Sequence, residues 1–521
     1  MKETNQDKEI KQSDSKHDNK NPKKDDNFKK NKSDKLADAD SKELGITVKK
    51  DEDFSEWYQQ VILKSELVEY TNVSGCIVFR PRSYAVWEAI QKYFDKKIKD
   101  DGVENAYFPL FIPESLLCKE QEHVKGFTPE VAWVTHGGDT KLTERLAIRP
   151  TSETIMYDSF KKWIRSYKDL PLRINQWCNV VRWEFKHAVP FIRTREFLWQ
   201  EGHTVFATQA EAESEVYKIL DMYEDVCETV LALPILKGLK TSREKFAGAL
   251  FTTSIEAVLP NGKVAQAGTS HCLGQNFAKA FDIKFLDHKG DTVYGWQNSW
   301  GISTRLIGVM IMMHSDDKGL VLPPKVAPVH AVIVPILFEN TKQMVIEKAK
   351  ELADSFKKAG YFKIHLDDRE NYTAGWKYNE WEMKGVPVRI EIGPKDIEKN
   401  QCVMVRRDTG KKEFVKLAEL NEKLQESLDN MQHHLLEKAR KVLKESIVKP
   451  KSMQDFIKAI DEKKIVEIFF CDEDECEETI KAKTGAKSVN IPKEQPEDIM
   501  NKKCIHCGKD AKMLLYFGKS Y

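Results

Sequence analysis

Neither sign of charge is in excess: 83 Lys+Arg against 82 Asp+Glu leave a formal net charge of +1 over 521 residues. That balance excludes attraction of a polyanion by the overall field, so a nucleic-acid partner would have to be held by local basic patches. No apolar run approaches the roughly 18–20 residues that a membrane helix needs. The longest runs, 329–338 and 306–313, read as a buried strand and a core helix. The N-terminus has no apolar signal core, is rich in Asp and carries no Arg before Arg80, which argues against an organellar leader. Ten cysteines lie scattered without the density of a secreted disulfide scaffold, so a reducing cytoplasm is the expected setting. Internal repeats are missing too.

What is present is too long for one hydrophobic core, and two to four domains are expected. Residues 1–44 are Lys, Asp, Asn and Ser with almost nothing to bury, so this stretch is expected to be a disordered, solvated tail. Added nonspecific RNA affinity from its lysines is the second reading. Residues 45–327 mix strand-like and helical stretches in the manner of an antiparallel α+β domain. A different rhythm follows over 328–446: strands at 330–337, 361–366 and 386–392, a helix at 341–359, and a hairpin over 401–415 turning at Asp408–Gly410. A long helix at 417–443 carries Leu417, Leu420, Leu424, Leu428, Met431 and Leu435 on one side. The last segment, 447–521, holds four of the ten cysteines.

Four stretches carry chemistry. Around Arg182, "INQWCNVVRWEFKH" is strand-like, "AVPFIRT" is a loop, and "REFLWQEGHTVFA" returns. Residues two apart in a strand share a face. That places Arg182 with Glu184, and Arg195, Phe197, Trp199, Glu201 and His203 in a second row. Surface salt bridges would explain one pair but not the whole row. "AIRPTSET" reads as a strand ending at Pro150, with Thr151 and Ser152 as N-caps of a helix carrying Glu153. "QAGTSHCLGQNF" reads as a small-residue loop holding His271, and "YGWQNSWGISTRLIGVMIMMH" as a strand, a Gly301 turn and an apolar helix. Arg305 in that helix's first turn is unfavourable against the macrodipole unless an anionic ligand lies nearby. Separately, Cys471-x₄-Cys476 and Cys504-x₂-Cys507 form two close pairs that suit tetrahedral Zn²⁺, with His506 as a competing ligand.

Together these pieces resemble the three signature motifs of class II aminoacyl-tRNA synthetases. The helix 84–98 running into "VENAYFPLFIP" with Pro109 stands for the first, which in the class builds a dimer interface; Arg182-x-Glu184 stands for the second, and Arg305 with its helix for the third. More closely, "RPTSET", "WCNVVRWEFKH", "FLWQEGH", "GTSHCLGQNF" and "VLPP" resemble the prolyl-tRNA synthetase family in its eukaryotic and archaeal-like form, over roughly 57–521. The resemblance implies an α+β multidomain chain: an antiparallel-sheet class II catalytic domain, an α/β anticodon-binding domain and a C-terminal zinc-binding α+β domain, assembled as a homodimer.

It also implies activation of L-proline by ATP with Mg²⁺, followed by transfer to tRNA(Pro). Arg182 and Arg305 would be the catalytic cations, gripping phosphates together with Arg193. Phe197 would stack on adenine, with Glu184, Gln266 and Thr269 completing the ATP site. For proline, Thr151 and Glu153 suit the secondary ammonium, Arg182 the carboxylate, and Trp199, His203 and Phe246 the ring wall; His271 and Ser303 line the site. Arg369, Trp376, Lys377 and Glu391 would read anticodon bases. By the same resemblance all four paired cysteines hold a structural zinc, and the terminal carboxylate of Tyr521 approaches the active site. Glu184 to Arg305 leaves no room for an editing insertion, so no hydrolysis of mischarged alanyl-tRNA is expected. Two rivals are a threonine enzyme, expected to show a catalytic-domain zinc site, and a silent paralogue, which would have lost its ATP arginines.

Overall fold

The computed structural model describes residues 45–123, 130–184 and 188–521. The expected disordered tail over 1–44 lies outside them. Among the described residues, no helix is long and apolar enough to cross a membrane.

A long β-hairpin organises the first domain. Strand Leu172–Val181 pairs antiparallel with Glu196–Phe206, with Val180 opposite Phe197 and Ile174 opposite His203. Glu196–Phe206 pairs with Trp296–Ser303, which pairs with Lys263–Gly274, which pairs with Phe251–Val258, all antiparallel. His203, Ser299 and His271 therefore stand in one row across three strands. Behind the sheet pack helix Pro81–Asp100, through Val86, Trp87, Ile90, Phe94 and Ile98, and the apolar helix Arg305–His314. Helix Pro81–Asp100 starts on the proline whose fixed φ suits the first helical position.

Several sequence readings are corrected. "QAGTSHCLGQNF" is no loop: most of it lies in the long strand Lys263–Gly274. Its small residues are there for space, since a Cβ on Gly268 would stand 2.7 Å from Ile302. Gly301 is mid-strand, opposite Glu201, and the chain turns after Ser303. The Arg182 strand stops at Val181, so Arg182 and Glu184 leave the sheet instead of sharing a strand face. Arg195 precedes its strand, bonds Ser74 O and packs over the Trp183 ring, away from the row it was expected to join. The stretch "VENAYFPLFIP" after helix Pro81–Asp100 holds two short strands, Glu104–Asn105 and Phe111–Pro113.

Gly202 shows how tightly the sheet is packed. A Cβ there would lie 2.2 Å from the Trp300 indole, which is 2% exposed. Gly202→Ala is expected to destabilise the first domain by ~1–3 kcal/mol through overpacking. A lower urea midpoint in unfolding followed by tryptophan fluorescence checks it.

The second domain is a five-stranded sheet in the order Ile364–Leu366, Ala331–Pro335, Val388–Ile392, Gln401–Arg406, Lys412–Lys416. The first three are parallel and the last two add antiparallel. Helix Leu420–Ser446 buries Leu420, Leu424, Leu428, Met431 and Leu435, while Leu417 sits in a preceding 3₁₀ turn. Arg407 bonds both oxygens of Asp316 at 2.8 and 2.6 Å, tying this domain to the first.

In the C-terminal segment, Ile465–Phe470 pairs antiparallel with Met513–Ser520. The end of that last strand runs parallel to the catalytic sheet, Lys519 beside Lys263 and Ser520 beside Val264. Tyr521 N–H donates to Val264 O at 3.1 Å and Asn261 Nδ2 donates to the Tyr521 hydroxyl at 2.7 Å. One continuous sheet thus joins the cysteine-bearing module to the strand that carries His271.

Candidate active site

The open face of the sheet carries a cavity of about 270 Å³. One end is built by the turn that starts helix Glu153–Trp163. Ser152 occupies the N-cap position, but its hydroxyl caps nothing and is given to Glu201 instead. Thr151 donates its hydroxyl to Glu153, whose carboxylate is 4% exposed. Two N-cap residue types that read as ordinary helix punctuation thus orient carboxylates beside a cavity.

Strand Glu196–Phe206 supplies the wall, with Phe197, Trp199, Glu201 and His203 all lining the cavity. His271 and Ser303, from the neighbouring strands of the same sheet, and Phe246 line it too. The His271 ring packs 4.7 Å from Phe246, and its Nδ1 meets Thr252 Oγ1 at 2.9 Å. Burial drives the His271 pKa down to about 3, with the charges of His203 and Arg182 adding to it, so this imidazole is neutral. His203 goes the other way. Burial opposes its charge, but the hydrogen bond to Glu201 at 3.0 Å together with the negative charges of Glu153 and Glu201 outweighs burial and raises the pKa.

The other end is cationic. Arg182 donates Nε–H to Pro150 O at 2.9 Å and lies 5.4 and 5.3 Å from the Phe197 and Trp199 rings. Arg305 donates Nε–H to Ile192 O at 3.0 Å and Nη1–H to Gln266 O at 3.2 Å. Burial lowers the pKa of both guanidiniums, and for Arg305 repulsion from Arg182 is the next cause. Neither makes a carboxylate ion pair among the described residues. Two neighbouring cations held by neutral carbonyls in a cavity are poised for an anion. Arg193 does not line the main cavity but an adjoining one of about 50 Å³, together with Arg182, Phe197, Ser303 and Arg305.

Gln266 and Thr269 also line the main cavity; Glu184 lines neither pocket and is exposed. Glu244 and Ser299 line it as well, and sequence reasoning did not single them out. Nor did it find the partners behind the wall, Ser152, Gln176 and Tyr157, which come from segments distant in sequence. The period-two row through Glu201 was the one available signal.

At the far end of the chain, the Sγ atoms of Cys471, Cys476, Cys504 and Cys507 all lie within 4.8 Å of one another, and His506 is not in the group. Zn–S bonds of about 2.3 Å set tetrahedral sulfur separations of about 3.8 Å, so this donor set fits zinc. In the second domain, Arg369 bonds Asp367 at 2.8 and 2.7 Å and lies over both rings of the Tyr372–Trp376 stack, whose centroids are 3.9 Å apart. Lys377, 1% exposed, donates to Asp367 O, and Glu391 is buried against Arg389 at 2.9 Å. These last two are committed to internal ion pairs.

An antiparallel sheet with an arginine after one strand, a second arginine opening the following helix and a cavity between them defines a class II aminoacyl-tRNA synthetase core. A family model described as tRNA synthetase class II core domain (G, H, P, S and T) matches residues 133–314. Models described as anticodon binding domain and as prolyl-tRNA synthetase, C-terminal, match 330–427 and 453–521. The chain is 51% identical to the cytoplasmic proline–tRNA ligase of Arabidopsis thaliana, covering 92% of this chain and 91% of that protein. It is 51% identical to proline–tRNA ligase 2 of Bacillus thuringiensis, covering 91% and 98%. A crystal structure of prolyl-tRNA synthetase from Cryptosporidium parvum complexed with halofuginone and AMPPNP superposes with a TM-score of 0.88 at 49% identity, covering 92% of this chain and all of that one. The chain belongs to the prolyl-tRNA synthetase family.

Proposed function

We propose that the protein activates L-proline with ATP to prolyl-adenylate and pyrophosphate, then transfers the prolyl group to the 3′ end of tRNA(Pro). One observation carries the reading of the amino acid. A buried carboxylate, Glu153, and a guanidinium, Arg182, belong to one cavity walled by Trp199 and Phe246. That is a receptor for a zwitterion with a flat apolar body. Glu153 and the Thr151 hydroxyl take the secondary ammonium, Arg182 takes the carboxylate, and Trp199, His203, Phe246, His271 and Ser303 enclose the ring.

Attack of the proline carboxylate on the α-phosphate builds charge on phosphate oxygens, so the work is positioning and electrostatics. Arg182 neutralises the α-phosphate and the attacking carboxylate together. Arg305 and Arg193 hold the terminal phosphates, Phe197 stacks on adenine, and Gln266 and Thr269 contact the nucleoside, with Glu184 at its mouth. Mg²⁺ arriving with ATP supplies further neutralisation of the phosphates. Zinc on the four cysteines is structural, stapling a loop to a helix, and none of the four lines the cavity.

In the second domain, Tyr372, Trp376 and Arg369 offer a stacking platform for unstacked anticodon bases, with Lys377 holding the Asp367 that anchors Arg369 and Glu391 paired with Arg389 on strand Val388–Ile392. Exposed Tyr84, Tyr107 and Phe111 around the first-motif helix support a homodimer, and cytoplasmic residence agrees with four free thiols serving as ligands.

Amino-acid-dependent ATP–pyrophosphate exchange tests the reading, with proline, threonine and alanine in parallel. Exchange with proline alone is expected, and Glu153→Gln is expected to raise the proline KM by roughly tenfold or more with little change in the ATP KM. Exchange led by threonine, or equal effects on both substrates, would remove the assigned pocket.

A further inference from the structure

Three glutamates line the cavity, and the two that are buried, Glu153 and Glu201, differ in how fully they are used. Glu153 accepts the Thr151 hydroxyl and keeps acceptor capacity for a ligand cation. Glu201, 2% exposed, is saturated. Its Oε2 accepts Ser152 N–H at 3.2 Å and His203 Nε2–H at 3.0 Å. Its Oε1 accepts the Ser152 hydroxyl, Gln176 Nε2–H at 3.1 Å and the Cys178 thiol at 3.4 Å. Five donors fill the roughly four lone-pair sites of an ionised carboxylate, so Glu201 has nothing left for an ammonium ion. Burial pushes it toward protonation, but His203, Ser152 and Gln176 outweigh burial and keep it charged.

The donors come from both sides of the cavity. Ser152 lies between Thr151 and Glu153, the turn proposed to hold the ammonium. His203 and Trp199 are the wall proposed to hold the ring. Tyr157, one helical turn beyond Glu153, meets the other nitrogen of His203 at 3.1 Å, closing a loop from helix to strand and back through Glu201. Trp199 is tied into the same group, since its Nε1–H reaches Cys178 Sγ at 3.3 Å.

We propose that Glu201 is a positioning residue that sets the distance between the ammonium site and the ring wall, and thereby the ring size the pocket accepts. It touches neither reacting atom. It acts by holding the Thr151–Glu153 turn against the strand that bears Trp199 and His203. This rests on the proline reading above. Discrimination by fit alone is worth only ~1–3 kcal/mol per methylene, so small changes of spacing are read directly in selectivity.

Glu201→Gln keeps the volume but places an amide NH₂ among groups that all donate to the carboxylate in the wild type. In ATP–pyrophosphate exchange it is expected to raise the proline KM roughly tenfold, leave the ATP KM unchanged and hold kcat within about threefold. The preference for proline over its four- and six-membered ring analogues, azetidine-2-carboxylate and pipecolate, is expected to fall about tenfold. Ser152→Ala removes one donor without touching the strand, and is expected to shift the same quantities in the same direction by a smaller factor. Unchanged proline KM and ring selectivity in folded Glu201→Gln and Ser152→Ala proteins would overturn the proposal. So would a collapse of kcat with proline and ATP KM rising together, which marks a merely structural role. Failure of the wild-type protein to exchange with proline is a separate result, seen before any substitution, and it would defeat the proline reading itself.

Discussion

Arg182→Lys is expected to lower kcat/KM for proline-dependent exchange by roughly a thousandfold, about 4 kcal/mol of transition-state stabilisation. The reason is geometric. Arg182 spends its Nε–H on Pro150 O, its terminal nitrogens make no hydrogen bond among the described residues, and the residue lines the cavity. That leaves a fork able to hold a phosphate oxygen and the attacking carboxylate oxygen at once. A lysine ammonium is a single point charge that could anchor on Pro150 or on the ligand, but not bridge two oxygens in fixed relation. It has no plane to lay against Phe197 and Trp199 either, and burial would drain its charge, since lysine pKa falls readily where arginine stays protonated. Stability should change little, because the fold gives up only one hydrogen bond to a carbonyl. The check is single-turnover exchange beside urea unfolding of the same preparation. Near-normal exchange in a folded Arg182→Lys protein would take the α-phosphate role away from Arg182.

How much of this was legible depended on whether the information was local. Period-two alternation placed Phe197, Trp199, Glu201 and His203 on one face because strand geometry alone fixes which side chains point the same way. The paired cysteines were legible for the same reason. The row failed at Arg195 because what ends the strand there is not local: Arg195 N–H goes to Gly75 O, and Arg182 N–H to Arg195 O, a register set by a segment over a hundred residues away. "QAGTSHCLGQNF" looked like a loop because Gly, Ala and Ser are weak strand formers, yet crowding by Ile302 and Ile255 around Gly268 makes small residues the ones that fit. Lys377 and Glu391 read in the sequence as residues facing anticodon bases and are buried ion-pair members, a distinction composition does not carry. The Glu201 cluster was the least legible part: its donors at positions 152, 176, 178 and 203 meet only when helix and hairpin pack.

Removing the metal site is expected to act at a distance through the sheet. Cys504→Ser, or chelation of the wild-type protein, breaks a Cys₄ set in which Cys471 follows a strand, Cys476 lies in helix Asp474–Thr484 and the other two lie in one turn. Zinc binding in small modules is worth about 10–16 kcal/mol of folding free energy, so the segment from about Met453 onward should lose its fixed structure. The last strand of that segment edges the catalytic sheet at Lys263 and Val264, just before Gln266, which lines the cavity. Freed of Ser520 and Tyr521, that edge should fray, and proline-dependent exchange should fall roughly tenfold while the second domain stays folded. Elemental analysis giving about one zinc per chain in the wild type and little in Cys504→Ser, with new protease cleavage confined to the C-terminal segment, would bear this out. Restoring zinc to the chelated protein should restore both protection and exchange. A metal-free protein with unchanged protease resistance would mean that the four thiols pack as an apolar cluster and that the sheet, not the metal, holds the C-terminus in place.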